Sequence, residues 1–237
     1  MVVRKQSNEE KAALDKAYNY LPGGTVGNVY MPKETAFVIK RGKGSHIWDM
    51  SGNEFIDYLI GSGPMVLGHS HPKVVTAVKE ALEDGSTYFV TSEPAILLAE
   101  EIVNAVPCAE KVRFASTGSE ATFFAMRAAR AYSKKDKILK FEGAFHGSND
   151  YSVMSISGYG MSPDLSKEFP NPTPGSAGIP KALESEVLIA PFNDIETSTA
   201  IIEQHHDEIG AVIMETMQRL ITPQPGFLEA IREVTKL

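Results

Sequence analysis

Phe114-Ala115-Ser116-Thr117-Gly118-Ser119-Glu120-Ala121-Thr122, followed after a short interval by Phe141-Glu142-Gly143-Ala144-Phe145-His146-Gly147, is the stretch that decides the fold. Lys111 to Ala115 is short, with Val112 and Phe114 apolar, and predicts a strand. It runs into a Ser/Thr/Gly turn. Ala121, Phe124, Ala125, Ala128 and Tyr132 then recur at helical spacing, and Thr117 with Glu120 fits a capping box. Lys137 to Phe141 predicts a second strand, so the unit reads strand, tight turn, helix, strand, a βαβ crossover.

That turn has a chemical use. The first turn of a helix leaves backbone N–H groups unpaired at the positive end of the dipole. Gly118 lets a ligand approach the backbone, and Ser116, Thr117 and Ser119 offer hydroxyls, which makes a phosphate cradle. An ordinary capped helix would carry the same residues. Phe145 and His146, flanked by glycines just past a strand end, add a flat ring and an imidazole at the edge where open α/β sheets bind ligands. A cradle beside an aromatic platform suits a phosphorylated heteroaromatic cofactor.

The rest of the chain agrees with a globular α/β protein. Its 237 residues are 43% hydrophobic and 22% charged, and the formal net charge of −7 argues against a nucleic-acid binder. One cysteine, Cys108, cannot form an internal disulfide. The first residues contain no apolar signal core and no apolar run approaches membrane-spanning length, so the expectation is a cytoplasmic protein without membrane contact. Asn8 to Tyr20 predicts a helix. Ala36–Lys40, His46–Asp49 and Phe55–Leu59 predict a small antiparallel meander. Pro72 at a helix start, then Lys73 to Asp84 with Val74, Val75, Val78, Ala81 and Leu82 inward, predicts a second helix, and Pro94 to Val106 a third. His69-Ser-His71 lacks neighbouring carboxylate or thiol and is not taken as a metal site. Ser148 to Leu183 has no sustained period and is rich in Gly, Ser and Pro. Glu186–Ala190 and Ala211–Met214 predict strands, Ile195–Ile209 and Phe227–Lys236 helices.

Ser116-Thr-Gly-Ser-Glu-Ala121, Arg127-Ala-Ala-Arg130 and Lys140-Phe-Glu-Gly-Ala-Phe-His-Gly147 resemble the class III, pyridoxal-phosphate-dependent aminotransferases. Within them the chain is most similar to the glutamate-1-semialdehyde 2,1-aminomutases and their close transaminase relatives. Leu21-Pro-Gly-Gly24, Asp49-Met-Ser-Gly-Asn53, Gly63 to Pro72 and Pro225-Gly-Phe-Leu228 extend the resemblance over nearly the whole chain. It implies a fold type I large domain, a mostly parallel sheet with flanking helices, incomplete over residues 63–237. Residues 1–62 would be the N-terminal segment of a small α+β domain, and about 148–183 would be a lid-like loop.

By that resemblance Gly118 and Ser119 would hold the phosphate of pyridoxal 5′-phosphate, with Thr117 beside them. Phe145 would lie against the ring, His146 would line the pocket and Glu215 would support the polar network. The family's ring-nitrogen acid and Schiff-base lysine would both fall beyond Leu237, which leaves no catalytic residue to assign and predicts a chain that is truncated, inactive by itself and unstable alone. The substrate would be a small amino acid or amine, and the full-length form a homodimer to which Ser86–Thr91 contribute. Thr216 after Glu215, Ser62, and a Thr25–Tyr30 stretch without arginine depart from the aminomutase pattern and favour a general transaminase. Arg219 is a candidate to read a carboxylate, with a surface arginine as the alternative. A phosphate-binding or dimer-interaction module without catalysis is the second reading. A nucleotide-binding domain is disfavoured, since no Gly-x-Gly-x-x-Gly follows a strand.

Overall fold

The computed structural model describes residues 4–27, 31–156 and 169–236. Part of the lid-like loop, 157–168, and Asn28 to Tyr30 of the Thr25–Tyr30 stretch therefore lie outside the described residues. The chain forms two compact units, 1–111 and 112–237, whereas the sequence reading drew its boundary at residue 62.

In the first unit, helix α1 spans Asn8–Tyr20, as expected, because the Ser7 hydroxyl accepts the Glu10 N–H at 3.2 Å and acidic residues fill the first turn. Strands β1 (Ile39–Lys43), β2 (His46–Asp49) and β3 (Glu54–Ile56) form the antiparallel meander in that order. Two of its strands lie differently from the prediction. The expected Ala36–Lys40 strand begins at Ile39, since the Ala36 and Val38 amides are engaged by Pro32 O and Glu10 Oε1, each at 2.9 Å, rather than by a ladder. The expected Phe55–Leu59 strand stops at Ile56, where the Asp57 carboxylate turns the chain by accepting the Leu59 and Ile60 N–H groups at 2.9 and 3.0 Å.

Helices α2 (Pro72–Glu83) and α3 (Glu93–Ala105) follow, each with proline in its first turn. Their apolar stripes are not inward as the spacing predicts: Val78 and Leu82 are 52% and 56% exposed, and neither helix has a buried residue. Spacing fixes which side of a helix is apolar, but a second element must cover that side to make it core, and no described element does.

In the second unit, Lys111 to Ala115 is not a strand, contrary to expectation. A strand exists only through its ladder, no described strand pairs with this segment, and Phe114 stands 47% exposed. Helix α4 (Gly118–Ser133) forms as read, although Tyr132, placed on its apolar stripe, is 93% exposed. Strand β4 (Lys137–Phe141) is central, parallel to β5 (Val187–Ala190) on one side and β6 (Ile209–Ile213) on the other. Helix α5 (Ile195–His205) is shorter than the sequence suggests, and α6 spans Phe227–Val234. Parallel strands covered on both faces read as continuous apolar runs; β5 does, and β4 does apart from Lys137 and Lys140. Leu139, Phe141, Leu188 and Ala190 face Ile201, Ile202, Phe227 and Ile231 of α5 and α6, with Phe141, Phe192 and Phe227 packed edge to face. Val187 and Ile189 pack with Met154 in a second cluster. The fold is α/β with a parallel sheet. Its central strand delivers Phe141 to Gly147 at the carboxyl edge.

Candidate functional site

The start of α4 is capped from its own sequence. Thr117 Oγ1 accepts the Glu120 N–H at 3.1 Å, and Glu120 Oε2 accepts the Ser116 and Thr117 N–H groups at 2.9 and 3.1 Å. These bonds use the Thr117 hydroxyl within the cap. They leave the Gly118 and Ser119 N–H groups as first-turn donors with no intrahelical acceptor. A Cβ on Gly118 would meet nothing within 4 Å, so the helix start is open there.

The turn after β4 is stitched to that helix start. Thr122 Oγ1 donates to the His146 carbonyl at 2.6 Å, and the Ser148 N–H donates to Ser119 Oγ at 3.0 Å. Gly147 has φ +100°, and a Cβ there would lie 2.6 Å from Ser119 Cα, so only glycine permits this approach. On the other side, Glu215 Oε1 accepts the Phe145 N–H at 2.6 Å and Oε2 accepts the Arg219 N–H at 2.8 Å. Gln218 Nε2 donates to Glu142 O at 2.6 Å, and Arg219 Nε donates to Gly143 O at 3.3 Å. Five of the six residues singled out as cofactor-binding are thus joined by these bonds: Ser119, Phe145, His146 and Glu215 directly, and Thr117 through the cap it shares with Glu120.

Their exposures differ in a way that sorts their chemistry. Phe145 is 37% exposed and offers a ring surface, with the Arg219 guanidinium 5.2 Å from its centroid. His146 is buried, its Nε2 without a hydrogen-bond partner among the described residues, and burial together with the nearby Lys140 and Arg219 charges lowers its pKa to about 4. It is a neutral imidazole at physiological pH. The carboxylate of Glu215 is committed to backbone amides and acts as a fastener between the turn and the segment after β6.

Lys140, which opens the Lys140–Gly147 motif, has no role assigned from the sequence. It is 1% exposed, and Nζ donates to the Met154 carbonyl. Desolvation pulls its pKa from 10.5 to about 7, with Glu142 and Glu215 holding it up and Arg219 pushing it further down. Glu142 is raised by burial, with Lys140 and the Ser155 hydroxyl pulling it back. The signal lay in Ile138-Leu139-Lys140-Phe141: a lysine inside the apolar run of a parallel strand is buried whichever way it points. Arg219 is also half-buried in the site rather than on the open surface. His69, by contrast, pairs with Asp57 at 2.7 Å in the first unit, and no group of metal-binding side chains occurs among the described residues.

A phosphorylated pyridine fits this arrangement on two counts. The open, amide-rich helix start suits the phosphate, and the exposed Phe145 ring, fixed through its own N–H, suits a flat heteroaromatic face.

Comparison with known proteins agrees with the geometry. Glutamate-1-semialdehyde 2,1-aminomutase of Methanococcus maripaludis (strain C6) is 38% identical over 239 residues, covering 100% of this chain and 54% of the relative. That of Methanococcus vannielii is 42% identical over 226 residues, covering 94% and 51%. An omega-transaminase from Sphaerobacter thermophilus superposes with a TM-score of 0.89 at 34% identity, covering 98% of this chain and 53% of that one. The chain therefore spans about half the length of the curated relatives it matches. The family described as "Aminotransferase class-III" matches residues 29–237, and the chain belongs to the class III aminotransferases.

Proposed function

We propose that this chain supplies the phosphate- and ring-binding part of a pyridoxal-phosphate-dependent enzyme that moves an amino group on a small amino acid or amine. The observation that carries the reading is the Glu215 carboxylate, which fixes the exposed Phe145 ring against a turn stitched to the open start of α4. When bound, pyridoxal phosphate supplies an electron sink for the carbon bearing the amino group. The Gly118 and Ser119 amides would take the phosphate, with Thr117 keeping the helix start in shape. Phe145 would cover one ring face. His146, neutral and buried, would wall the pocket without adding charge. Glu215 would keep these parts in register.

The catalytic lysine and the acid for the ring nitrogen have no counterpart that we assign in this chain, so catalysis by these residues alone is not part of the proposal. A full-length homodimer is its expected setting. A second reading, a phosphate-binding module that pairs with another chain and performs no chemistry, draws support from the uncovered apolar stripes of α2 and α3.

Gly118→Asp tests the reading. The new side chain meets open space and a favourable dipole, so the fold should hold, but its carboxylate would occupy the phosphate position. Pyridoxal phosphate should bind the wild-type chain saturably, in preference to NAD or ATP. The variant should bind it at least about tenfold more weakly, a loss of about 1.4 kcal/mol. Equal binding by both chains would overturn the proposal.

A further inference from the structure

We propose that Lys140 is a positioning residue for this site: its buried ammonium, donated to the Met154 carbonyl beside the Glu142 carboxylate, holds the turn that presents Phe145 and His146. The inference rests on reading that turn as the holder of a phosphorylated pyridine.

The turn is clamped from two sides. In front, Glu215 and Gln218 bind its Phe145 N–H and Glu142 carbonyl. Behind it runs Met154-Ser155. The Gly143 N–H donates to the Ser155 carbonyl at 2.8 Å, while Lys140 Nζ takes the Met154 carbonyl one residue earlier. Ser155 is itself held, its N–H donating to Thr173 O at 2.7 Å and its hydroxyl accepting the Thr173 N–H at 2.9 Å. Two consecutive carbonyls thus buttress the turn through Lys140 and Gly143. Of the two donors, only Lys140 carries a charge that can be removed near neutral pH.

The charged and titratable groups that face Lys140 come from two elements. Glu142 and His146 lie on the turn, and Glu215 and Arg219 on the segment after β6. Its folded pKa of about 7 means that the buttress passes from a charged to a neutral donor in the working range of most enzymes. An anionic ligand nearby favours the charged form. By reciprocity, the charged form favours the ligand.

Pyridoxamine 5′-phosphate is the probe, because it has no aldehyde to condense with any lysine. Its affinity is measured from about pH 6 to pH 9 for the wild-type chain, Lys140→Arg and Lys140→Met. The wild-type affinity should fall about tenfold across neutrality, one pK unit of linkage. Lys140→Arg, charged throughout, should lack that step and stay tight at the alkaline end. Lys140→Met should be weak throughout and also lack it. A wild-type step that survives in Lys140→Met, or a flat wild-type profile, overturns the role of Lys140 while leaving the proposed function standing. If the wild-type chain binds no probe at any pH, the proposed function fails instead. Amide hydrogen exchange at Gly143–His146 in the unliganded chain then decides the inference. Protection against local opening of the turn, in which Lys140 stays buried on β4, should fall above about pH 7 in the wild type and not in Lys140→Arg, after correction for intrinsic rates and even while global stability rises with pH. Unchanged protection overturns it.

Discussion

Each compact unit buries charge, and the two do so in opposite ways. In the first unit Arg4 Nη1 lies 3.0 Å from both Glu10 and Asp49, carboxylates with no exposed side-chain surface. Every part of this knot is answered. Arg4 Nη2 donates to Ala36 O at 2.9 Å, and Glu10 accepts the Val38 N–H and the Ser51 hydroxyl. Asp49 accepts the Asn53 N–H at 2.8 Å and the Asn53 amide at 2.7 Å. In the second unit Lys140 has Met154 O, but neither Glu142 oxygen completes a well-formed hydrogen bond despite the nearness of Lys140 and Ser155, and His146 Nε2 has none. The first arrangement is closed and ties α1 to the meander. The second is open at the one place in the chain where a ligand is expected. Buried polar groups are normally satisfied, so an unsatisfied cluster marks a position kept for something other than stability.

The largest effect should come from breaking the closed knot. Arg4→Met removes the one cation between two buried carboxylates and should destabilise the first unit by about 3–5 kcal/mol, the range for a broken buried pair. Denaturant unfolding followed by the single tryptophan, Trp48 on β2, reads this unit directly. A loss under about 1 kcal/mol would mean that the knot is only surface electrostatics, and the contrast between the units would collapse.

The open cluster should respond to pH instead. The folded pKa of Lys140 is about 7 against 10.5 when unfolded, so between those values the unfolded chain binds more protons. Stability of the second unit should therefore rise from pH 7 towards 10.5, by about 3 kcal/mol once relaxation is allowed for, and be flat below 7 on this group's account. Lys140→Met should abolish the rise without destabilising the unliganded protein at pH 7. If Lys140→Met unfolds the chain at neutral pH as Arg4→Met does, the lysine is structural and the two regions are alike.

His146 sharpens the same contrast at the acid end. Its pKa is about 4 folded and 6.5 unfolded, so its contribution to stability grows from pH 4 to 6.5. Asp49, Asp57 and Asp194 are also held low and titrate nearby, so the signal is the difference between wild type and His146→Gln. That difference should change by about 1–2 kcal/mol across the window, less than the full shift of about 3 kcal/mol because water can relax the site.

The same asymmetry explains what the sequence made legible. Local rules sufficed wherever a segment satisfies itself. The Thr117/Glu120 box and the hairpins of the meander carry their own bonding, and the turn at Gly147 announces itself by its glycine. They failed where a segment depends on a neighbour. Lys111–Ala115 has the composition of a strand and no ladder, and the stripes of α2 and α3 have the spacing of a core face and no cover. The partnership of Glu215 with Phe145 crosses 70 positions and follows from no local pattern. Lys140 is visible in principle, as the one polar residue in Ile138–Phe141, but its acceptor, the Met154 carbonyl, lies 14 positions on and follows from no local pattern.

The smallest prediction separates the two jobs done at the start of α4. Thr117 caps the helix through its hydroxyl, and the Gly118 and Ser119 amides are the donors left for an anion. Thr117→Ala should cost about 1 kcal/mol of stability, the usual loss for an N-cap. Glu120 would still hold the Ser116 and Thr117 N–H groups, so the helix start should keep its shape. Binding of pyridoxamine 5′-phosphate should therefore change less than threefold, about 0.6 kcal/mol, when compared at a temperature where both chains are folded. Gly118→Asp should give the reverse, with stability kept and binding lost. A Thr117→Ala variant that loses binding as fully as Gly118→Asp would show that the hydroxyl, rather than the open amides, meets the ligand. The cap would then belong to the open cluster and not to the self-satisfied parts of the fold.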